Sequence, residues 1–187
     1  MRRLFLTRAL ALTIAAGLAA TLPAAAPALA QGAAKSAARG TSGLPLPRFV
    51  SLKAKRVNLR IGPGRDYAVS WLYTRSGVPM EVIQEYDNWR RVRDAEGTEG
   101  WVYQSLLSGE RTAVTAPWKR SGQTEVLIPM YRDARASSDI VARLEPGVIV
   151  TMRECNGQWC QAEAQGVKGW VQQGEVWGAY PGEAFKN

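Results

Sequence analysis

The sequence contains no histidine. This absence excludes Ser-His and Cys-His nucleophilic pairs, the commonest general base, and zinc sites with an imidazole ligand. No glycine-rich phosphate loop leads from a strand into a helix, so Gly62-Pro63-Gly64 is interpreted as a turn. Paired carboxylates are chemically able to cut a glycosidic bond, but the acidic residues of the first copy fit a solvated face of strands and turns better. These residues are Glu81, Glu85, Asp87, Glu96 and Glu99. We therefore predict a protein that is not an enzyme and has no cofactor and no metal site.

A sustained helical stripe is also missing after residue 30. In its place stand short apolar runs rich in β-branched residues, such as Val78–Ile83 and Val148–Met152. Polar turns follow them, and Asn156-Gly157 is a strong hairpin signal. Many short strands at regular turn spacing predict an all-β fold built from small barrels.

The first thirty residues have the pattern of a secretory signal peptide. Arg2, Arg3 and Arg8 form a basic start, and no charged residue occurs between residues 9 and 30. An apolar stretch ends at two prolines, and Ala28-Leu29-Ala30 matches a cleavage signal, which favours cleavage after residue 30 over an uncleaved membrane anchor. The Arg-Arg pair resembles a twin-arginine signal, although the short basic region favours the general secretory route. We expect an exported protein, periplasmic or secreted, with no stable membrane insertion after cleavage.

Residues 31–48 predict a tether. The segment Gln31–Gly43 consists of small and basic residues without apolar periodicity, which is typical of disorder. Leu44-Pro45-Leu46-Pro47 then favours stiff polyproline geometry, because proline fixes φ. Order is expected to begin near Phe49, which leaves enough chain for one domain or two small ones.

Two windows of the chain repeat each other. Residues 96–109 read EGTEGWVYQSLLSG and residues 165–178 read QGVKGWVQQGEVWG, with six identical positions. The spacing from Gly77 to Trp89 also equals that from Gly147 to Trp159. A period of about 70 residues is too long for a solenoid and suits a small domain. We predict tandem domains over residues 49–115 and 125–180, joined near Thr115–Thr124, where proline and glycine interrupt the strand pattern.

The first copy resembles the bacterial SH3-like (SH3b) domain family. Val57-Asn58-Leu59-Arg60-Ile61-Gly62-Pro63-Gly64 is similar to the opening of these domains, and Gly77, Trp89, Val92 and Gly100-Trp101-Val102 resemble the rest of their signature. The second copy keeps Gly147, Trp159 and Gly169-Trp170-Val171 but has Pro129-Met130-Tyr131-Arg132 in place of the opening. The resemblance implies two tandem SH3-like barrels. A stretch typical of eukaryotic polyproline readers is absent, so that recognition is not implied.

Cys155 and Cys160 are the only cysteines. An even count in an exported chain favours a disulfide over free thiols or a metal pair that would lack further ligands. If the loop between them holds four residues, the cysteines face each other across a hairpin within bridging reach. With a two-residue Asn-Gly turn, Cys155 faces Gln158 and the bridge needs a register adjustment.

Positive charge is concentrated in the first half of the mature chain. Residues 31–120 contain 15 Lys and Arg against 8 Asp and Glu, whereas residues 121–187 contain 6 against 8. Such a basic region with aromatics is typical of nucleic-acid binders, but an exported protein meets little nucleic acid. Anionic polymers of the cell envelope are the expected partners.

Aromatic residues are abundant in the first copy, and a barrel this small has room for few of them in its core. Trp89 and Trp101 are core candidates. The resemblance implies a shallow groove between the Gly62–Trp71 loop and the Glu85–Trp89 turn. Its candidate contacts, which join aromatic faces to positive charge, are Tyr67, Trp71, Tyr86, Trp89, Arg65 and Arg90.

Two functions follow. The resemblance implies a module that binds peptidoglycan, through cell-wall peptide or glycan, or targets another envelope component. The alternative is a structural adaptor that presents a protein–protein surface in the periplasm. Because the complete motif, the charge and most aromatics lie in the first domain, we expect that domain to bind and the second to stabilise it or contact a protein.

Overall fold

The computed structural model describes residues 38–119 and 126–187. Its architecture is all-β, which confirms the predicted fold class. Within these residues the helical elements are two 3₁₀ turns, Gln104–Leu106 and Gln173–Glu175, and no helix is long and apolar enough to cross a membrane. The predicted signal peptide, residues 1–30, and residues 31–37 of the predicted tether lie outside the described part of the chain.

A short hairpin precedes the first barrel, and seven strands form the barrel. The hairpin pairs β1 (Ala38–Arg39) with β2 (Pro45–Leu46). The barrel strands lie in the order β5-β4-β8-β7-β6-β3-β9. Their bounds are β3 (Arg48–Leu52), β4 (Val57–Arg60), β5 (Val69–Tyr73), β6 (Pro79–Tyr86), β7 (Trp89–Arg93), β8 (Glu99–Tyr103) and β9 (Leu107–Ser108).

The second barrel repeats this order with one added strand. Its strands follow the order β12-β11-β15-β14-β13-β10-β16, and β17 pairs with β13. Their bounds are β10 (Thr112–Thr115), β11 (Ile128–Tyr131), β12 (Ile140–Leu144), β13 (Ile149–Asn156), β14 (Trp159–Ala164), β15 (Val167–Gln172), β16 (Val176–Trp177) and β17 (Ala184–Lys186).

Each barrel encloses its own core of aliphatic and methionine side chains. Alternation along the strands turns one face of each strand inward. In the first barrel the fully buried side chains are Leu52, Val57, Leu59, Met80, Val82, Val92 and Val102. In the second they include Ile128, Met130, Val150, Met152 and Val171. Neither core contains a tryptophan, so Trp89 and Trp101 are not core residues.

Strand β10 corrects the predicted domain boundary. The sequence interpretation places Thr112–Thr115 at the end of the first domain, but β10 pairs with β13 and β16 and is the first strand of the second barrel. The N–H of Thr115 donates to Val148 O, as the N–H of Leu52 in β3 donates to Val78 O. The predicted junction at 115–124 therefore falls, along the chain, between β10 and β11, which are both strands of the second barrel, and residues 109–111 connect the two barrels.

The N-terminal hairpin corrects the predicted start of order. Residues 38–48 were expected to belong to a disordered tether, yet β1 and β2 pair, and the turn between them contacts the first barrel. The N–H and hydroxyl of Ser42 donate to the carboxylate of Glu85 at 2.7 and 2.8 Å. The hydroxyl of Thr41 donates to the same carboxylate at 3.2 Å. A buried carboxylate needs donors on all sides, and the hairpin supplies three of them.

The two barrels link their β-hairpins differently at the same position. In the second barrel Cys155 faces Cys160 in the β13–β14 register, and the two form the predicted disulfide with a Cα–Cα separation of 4.1 Å. Of the two loop geometries considered, the one that places the cysteines directly opposite is present. In the first barrel the residues at the corresponding register are Glu85 and Arg90, which form an ion pair at 3.2 Å.

Aromatic contacts join the barrels. Phe49 of β3 lies against Trp177 and Tyr180 of the second half, with ring centroids 5.0 and 4.7 Å apart. The Tyr180 hydroxyl donates to Glu81 at 3.0 Å, and burial together with that carboxylate raises the pKa of the phenol. Arg111, in the short connection, stacks on Phe49 and pairs with Glu183. The barrels thus pack on each other in one compact unit.

Candidate functional site

A groove on the first barrel is lined by three basic side chains, Arg60 of the opening motif and Arg56 and Arg65 on either side of it. In β4 the alternation buries Val57 and Leu59 and turns Asn58 and Arg60 toward the groove. The groove has a volume of about 580 Å³. We call it the basic groove; its lining residues are Arg56, Asn58, Arg60, Arg65, Leu72, Trp89, Tyr103, Ser105 and Leu106.

The basic groove combines positive charge with aromatic surface. Three arginines line it, and no carboxylate does so in the part of the chain that the structure describes. Trp89 of β7 and Tyr103 of β8 face each other in the register and meet edge to face, with ring centroids 5.4 Å apart. Guanidinium groups bind carboxylates and phosphates, whereas aromatic faces accept apolar faces of sugars and peptides. The groove is therefore suited to an anionic ligand that also has a flat apolar surface.

The glycine turn of the motif shapes one side of this groove. The ring of Tyr67 packs over the backbone of Gly62 so closely that a Cβ there would collide with it. Arg60 donates from its guanidinium to Tyr67 O at 2.6 Å, which ties the loop back to β4. The Gly-Pro-Gly sequence thus has a structural role, and it holds the loop that carries Arg65.

Of the six predicted contacts, the structure brings two together in the basic groove, Arg65 and Trp89. Trp71 lies on β5 and lines a separate cleft of about 420 Å³ with Asp94 and residues of the second barrel. Tyr67 and Tyr86 are exposed and line neither of these cavities.

Arg90 is buried, and its guanidinium is occupied by protein groups. It pairs with Glu85, donates to the carbonyl oxygens of Asp87 and Trp89, and donates to Gln104 Oε1 at 2.7 Å. Contrary to the prediction from the sequence, the Arg90 side chain therefore does not line the basic groove. Instead it braces the turn that carries Trp89.

Glu85 is the centre of this buried cluster. Burial alone would raise the pKa of its carboxyl group, but hydrogen bonds from Ser42 and Arg48 and the charge of Arg90 outweigh burial and lower the pKa to about 2. The Arg48–Glu85 contact is 2.7 Å, and the Glu85 side chain is fully buried. The carboxylate stays ionised at any physiological pH.

A second groove lies on the second barrel and was missed by the sequence interpretation. It has a volume of about 600 Å³ and contains three tryptophans, Trp118, Trp159 and Trp177. Because Trp159 aligns with Trp89 in the repeat, that alignment was a usable signal for it. We call it the neutral groove; its lining residues are Trp118, Gly157, Gln158, Trp159, Gln172, Gln173, Gly174, Val176, Trp177, Ala179, Pro181 and Gly182.

No cluster of three or more potential metal ligands occurs among residues 38–119 and 126–187. Tyr73 lines the cleft that contains Trp71, and the pKa of its phenol is raised by burial and by its hydrogen bond of 2.7 Å to Asp94. That bond stabilises the protonated phenol and leaves it without an evident chemical role.

Comparison with known families matches both halves of the chain. Residues 53–109 and 124–178 each match the model of the bacterial SH3 domain, and together they cover more than half of the sequence. The chain belongs to the bacterial SH3 domain family. Both matches begin after the first strand of their barrel. Strands β3 and β10 therefore lie outside the matched segments.

Comparison with curated proteins finds no match in sequence. Among solved structures, the chain is similar to NlpC2 and NlpC1 from Trichomonas vaginalis, at 10% and 11% identity and a TM-score of 0.31 for each. The alignments cover 70% and 74% of this chain, which spans about half the length of those proteins (48% of each). Such a likeness is too low to carry an argument about function.

The basic groove belongs to the first SH3 domain and lies within its matched segment. The neutral groove is different, because several of its walls lie outside the segment that matches the second SH3 domain. Trp118 precedes that segment, and Ala179, Pro181 and Gly182 follow it. These walls of the neutral groove therefore lie outside the segment of the second SH3 domain that the family model matches.

Proposed function

We propose that this chain is a non-catalytic, exported binding module that attaches to peptidoglycan or another anionic component of the cell envelope. The basic groove of the first SH3 domain is the binding site. The observation that carries the proposal is that three arginines in and beside the opening motif share one groove with the Trp89–Tyr103 pair, and that no carboxylate of the described residues lines it. Bacterial SH3 domains are typically binding modules, which supports a role in binding.

The chemistry of the groove fits a cell-wall peptide or glycan. Arg56 and Arg65 are exposed and can form paired hydrogen bonds to carboxylates of a stem peptide or an acidic polymer. The Trp89 and Tyr103 rings offer a platform for a sugar or peptide face. Binding through exposed arginines should weaken with salt, because the Debye length falls from about 10 Å at 0.1 M to about 3 Å at 1 M.

Retention on purified cell walls tests the proposal. The mature chain, from residue 31, is incubated with insoluble cell wall and sedimented at several salt concentrations. Arg56→Ala combined with Arg65→Ala should weaken retention at least about tenfold, since two exposed charge contacts together contribute roughly 1.4 kcal/mol or more. Neither side chain belongs to the core, so folding should be unaffected.

The matched control removes two arginines from the second SH3 domain. Arg132 and Arg135 have side chains that are each 67% exposed and pair only with nearby aspartates. Replacing both with Ala changes the net charge by the same amount as the groove variant. If both double variants lose retention equally, binding depends on net charge alone and the assignment of the basic groove is wrong.

A structural adaptor for protein contacts in the periplasm is the second candidate. The observation in its favour is β5, an edge strand with exposed apolar side chains. Trp71 is 56% exposed, Val69 46% and Ile61, at the end of the preceding strand, 66%. An exposed apolar edge is a template for another strand. Capture of an envelope protein that is lost in Trp71→Ala, without retention on cell wall, would favour this function.

A further inference from the structure

The neutral groove is a concave site built without charge. Its volume of about 600 Å³ is within the range of ligand clefts, about 300–1,000 Å³. Among residues 38–119 and 126–187, none that lines the groove is ionisable. Next to it, within the described part of the chain, Lys119 and Glu175 neutralise each other in an ion pair at 2.5 Å. A charged ligand would find no counter-charge there, so the groove selects an uncharged one.

Two of the three tryptophans of the groove are packed on neighbouring rings, and the third, Trp118, is 55% exposed. Trp159 packs edge to face on Tyr131, and Trp177 packs in the same way on Phe49. Trp118 is on a turn that is fixed by the ion pair of the neighbouring Lys119. Side chains that are already ordered lose little conformational entropy on binding.

The opposite wall is tied down by the buried amide of Gln173. Its Nε2 donates to Glu183 O at 2.8 Å, and its Oε1 accepts from the N–H of Gly182 at 3.0 Å. The C-terminal segment therefore stands as a fixed wall beside the Gly157 turn, where an added Cβ would lie 3.3 Å from Gly182 O.

The corresponding surface of the first SH3 domain has different chemistry. By register, Trp177 stands where the first domain has Ser108, and Gln172 stands where it has Tyr103. Trp118 is three residues after Thr115, as Lys55 is three residues after Leu52. At these three positions the second domain therefore has two indole rings and an amide where the first has a hydroxyl, a phenol and an ammonium group.

We propose that the neutral groove is a second binding site, which takes an uncharged pyranose saccharide. A pyranose has C–H groups on its flat faces, which stack on indole rings, and hydroxyl groups around its edge. Gln158 and Gln172 are exposed at the groove, and each amide offers both donors and an acceptor. Hydroxyl groups, which donate and accept, can satisfy both sides of such an amide.

A proline-rich peptide is the competing ligand for a groove lined with tryptophan. Its backbone carbonyls accept hydrogen bonds, but proline has no N–H, so the amide oxygens of Gln158 and Gln172 would lose their water without gaining a donor. The saccharide leaves no such group unpaired. This site is separate from the basic groove, so the failure of either assignment leaves the other standing.

Isothermal titration of the mature chain with tetra-N-acetylglucosamine and with maltotetraose, both uncharged, tests the proposal. A proline decapeptide is titrated in parallel. We expect at least one of the two sugars to bind, with an affinity that changes less than twofold between 50 and 500 mM salt, because no ion pair forms. Trp118→Ala should weaken that binding at least tenfold, and Trp118→Phe, which keeps a flat ring, should restore most of it.

Trp71→Ala is the matched control, because Trp71 is as exposed as Trp118 (56% and 55%) and lines neither of the two grooves. Its sugar affinity should stay within twofold of the wild type. Because Trp118 is mostly exposed, its substitution should leave the thermal transition unchanged, which separates loss of binding from loss of folding. No binding of either sugar, binding of the decapeptide alone, or equal losses in the Trp118 and Trp71 variants would overturn the proposal.

Discussion

Arg90→Ala should destabilise the first SH3 domain far more than its position on a β-strand suggests. The substitution removes the guanidinium that lies 3.2 Å from the Glu85 carboxylate, at a side chain only 7% exposed. It also removes the donors to Asp87 O and Gln104 Oε1, so the turn before Trp89 loses its brace.

The expected cost is about 3 kcal/mol of unfolding free energy. Breaking a buried ion pair by removing one partner costs about 3–5 kcal/mol, because the other charge stays buried. The lower end applies here, since Arg48 and Ser42 still contact Glu85. For a folded unit of about 150 residues this corresponds to a fall in Tm of roughly 6–12 °C.

Arg91→Ala is the matched control for this measurement. Arg91 is the next residue on the same strand, but its side chain is 43% exposed and pairs with the partly exposed Glu99 at 2.9 Å. Exposed pairs contribute about 1 kcal/mol or less. Urea and thermal unfolding of both variants, followed by circular dichroism, give the comparison. If Arg90→Ala loses no more stability than Arg91→Ala, the buried cluster does not hold the barrel together.

Because Glu85 is buried in this cluster, we expect the stability of the first SH3 domain to depend on pH in the acid range. The pKa of Glu85 is lowered from 4.5 to about 2 in the folded protein, so its contribution to stability is complete above pH 4.5 and is lost as the pH falls toward 2. A shift of this size corresponds to about 3 kcal/mol. In Arg90→Ala the pKa should be less depressed, and the loss between pH 4.5 and 2 should be correspondingly smaller.

Two other predictions concern the second SH3 domain. The exported protein should offer no alkylatable thiol until it is reduced and two afterwards, by mass spectrometry; labelling without reductant would mean that the Cys155–Cys160 bond is absent. A fragment that starts at Glu110 should unfold cooperatively by circular dichroism, whereas a fragment that starts at Ser121 should not, because it lacks β10. Equal transitions for the two fragments would contradict the placement of that strand.

The turns and the repeated motif made the fold predictable. Each Gly-Trp-Val segment lies on the third strand of a meander whose turns are marked by glycine and asparagine, and these are local signals. Strand β10 was misplaced because its partners in β13 and β16 lie far along the chain, and no residue in Thr112–Thr115 marks the pairing. The hairpin before β3 was missed for the same reason, since it depends on the distant carboxylate of Glu85.

The site was less predictable than the fold. The family resemblance implied a groove of aromatic and arginine side chains near Trp89, and Arg65 and Trp89 do line one groove together. The burial of Arg90 could have been inferred, because it is two residues from the core residue Val92 and so shares its inward face. The walls of the neutral groove could not have been inferred from the sequence, because Trp118 and Trp177 line the same groove only after β10 and β16 pair.

The pairs Glu85–Arg90 and Cys155–Cys160 occupy one register position in two copies of one scaffold, and each copy has a different chemical weakness as a result. Reductant cuts the covalent link of the second barrel and leaves the first untouched, whereas acid protonates the carboxylate of the first and leaves the disulfide intact. Neither stress removes both links at once. A chain with the same pair in both barrels would lose both cross-strand links under a single condition.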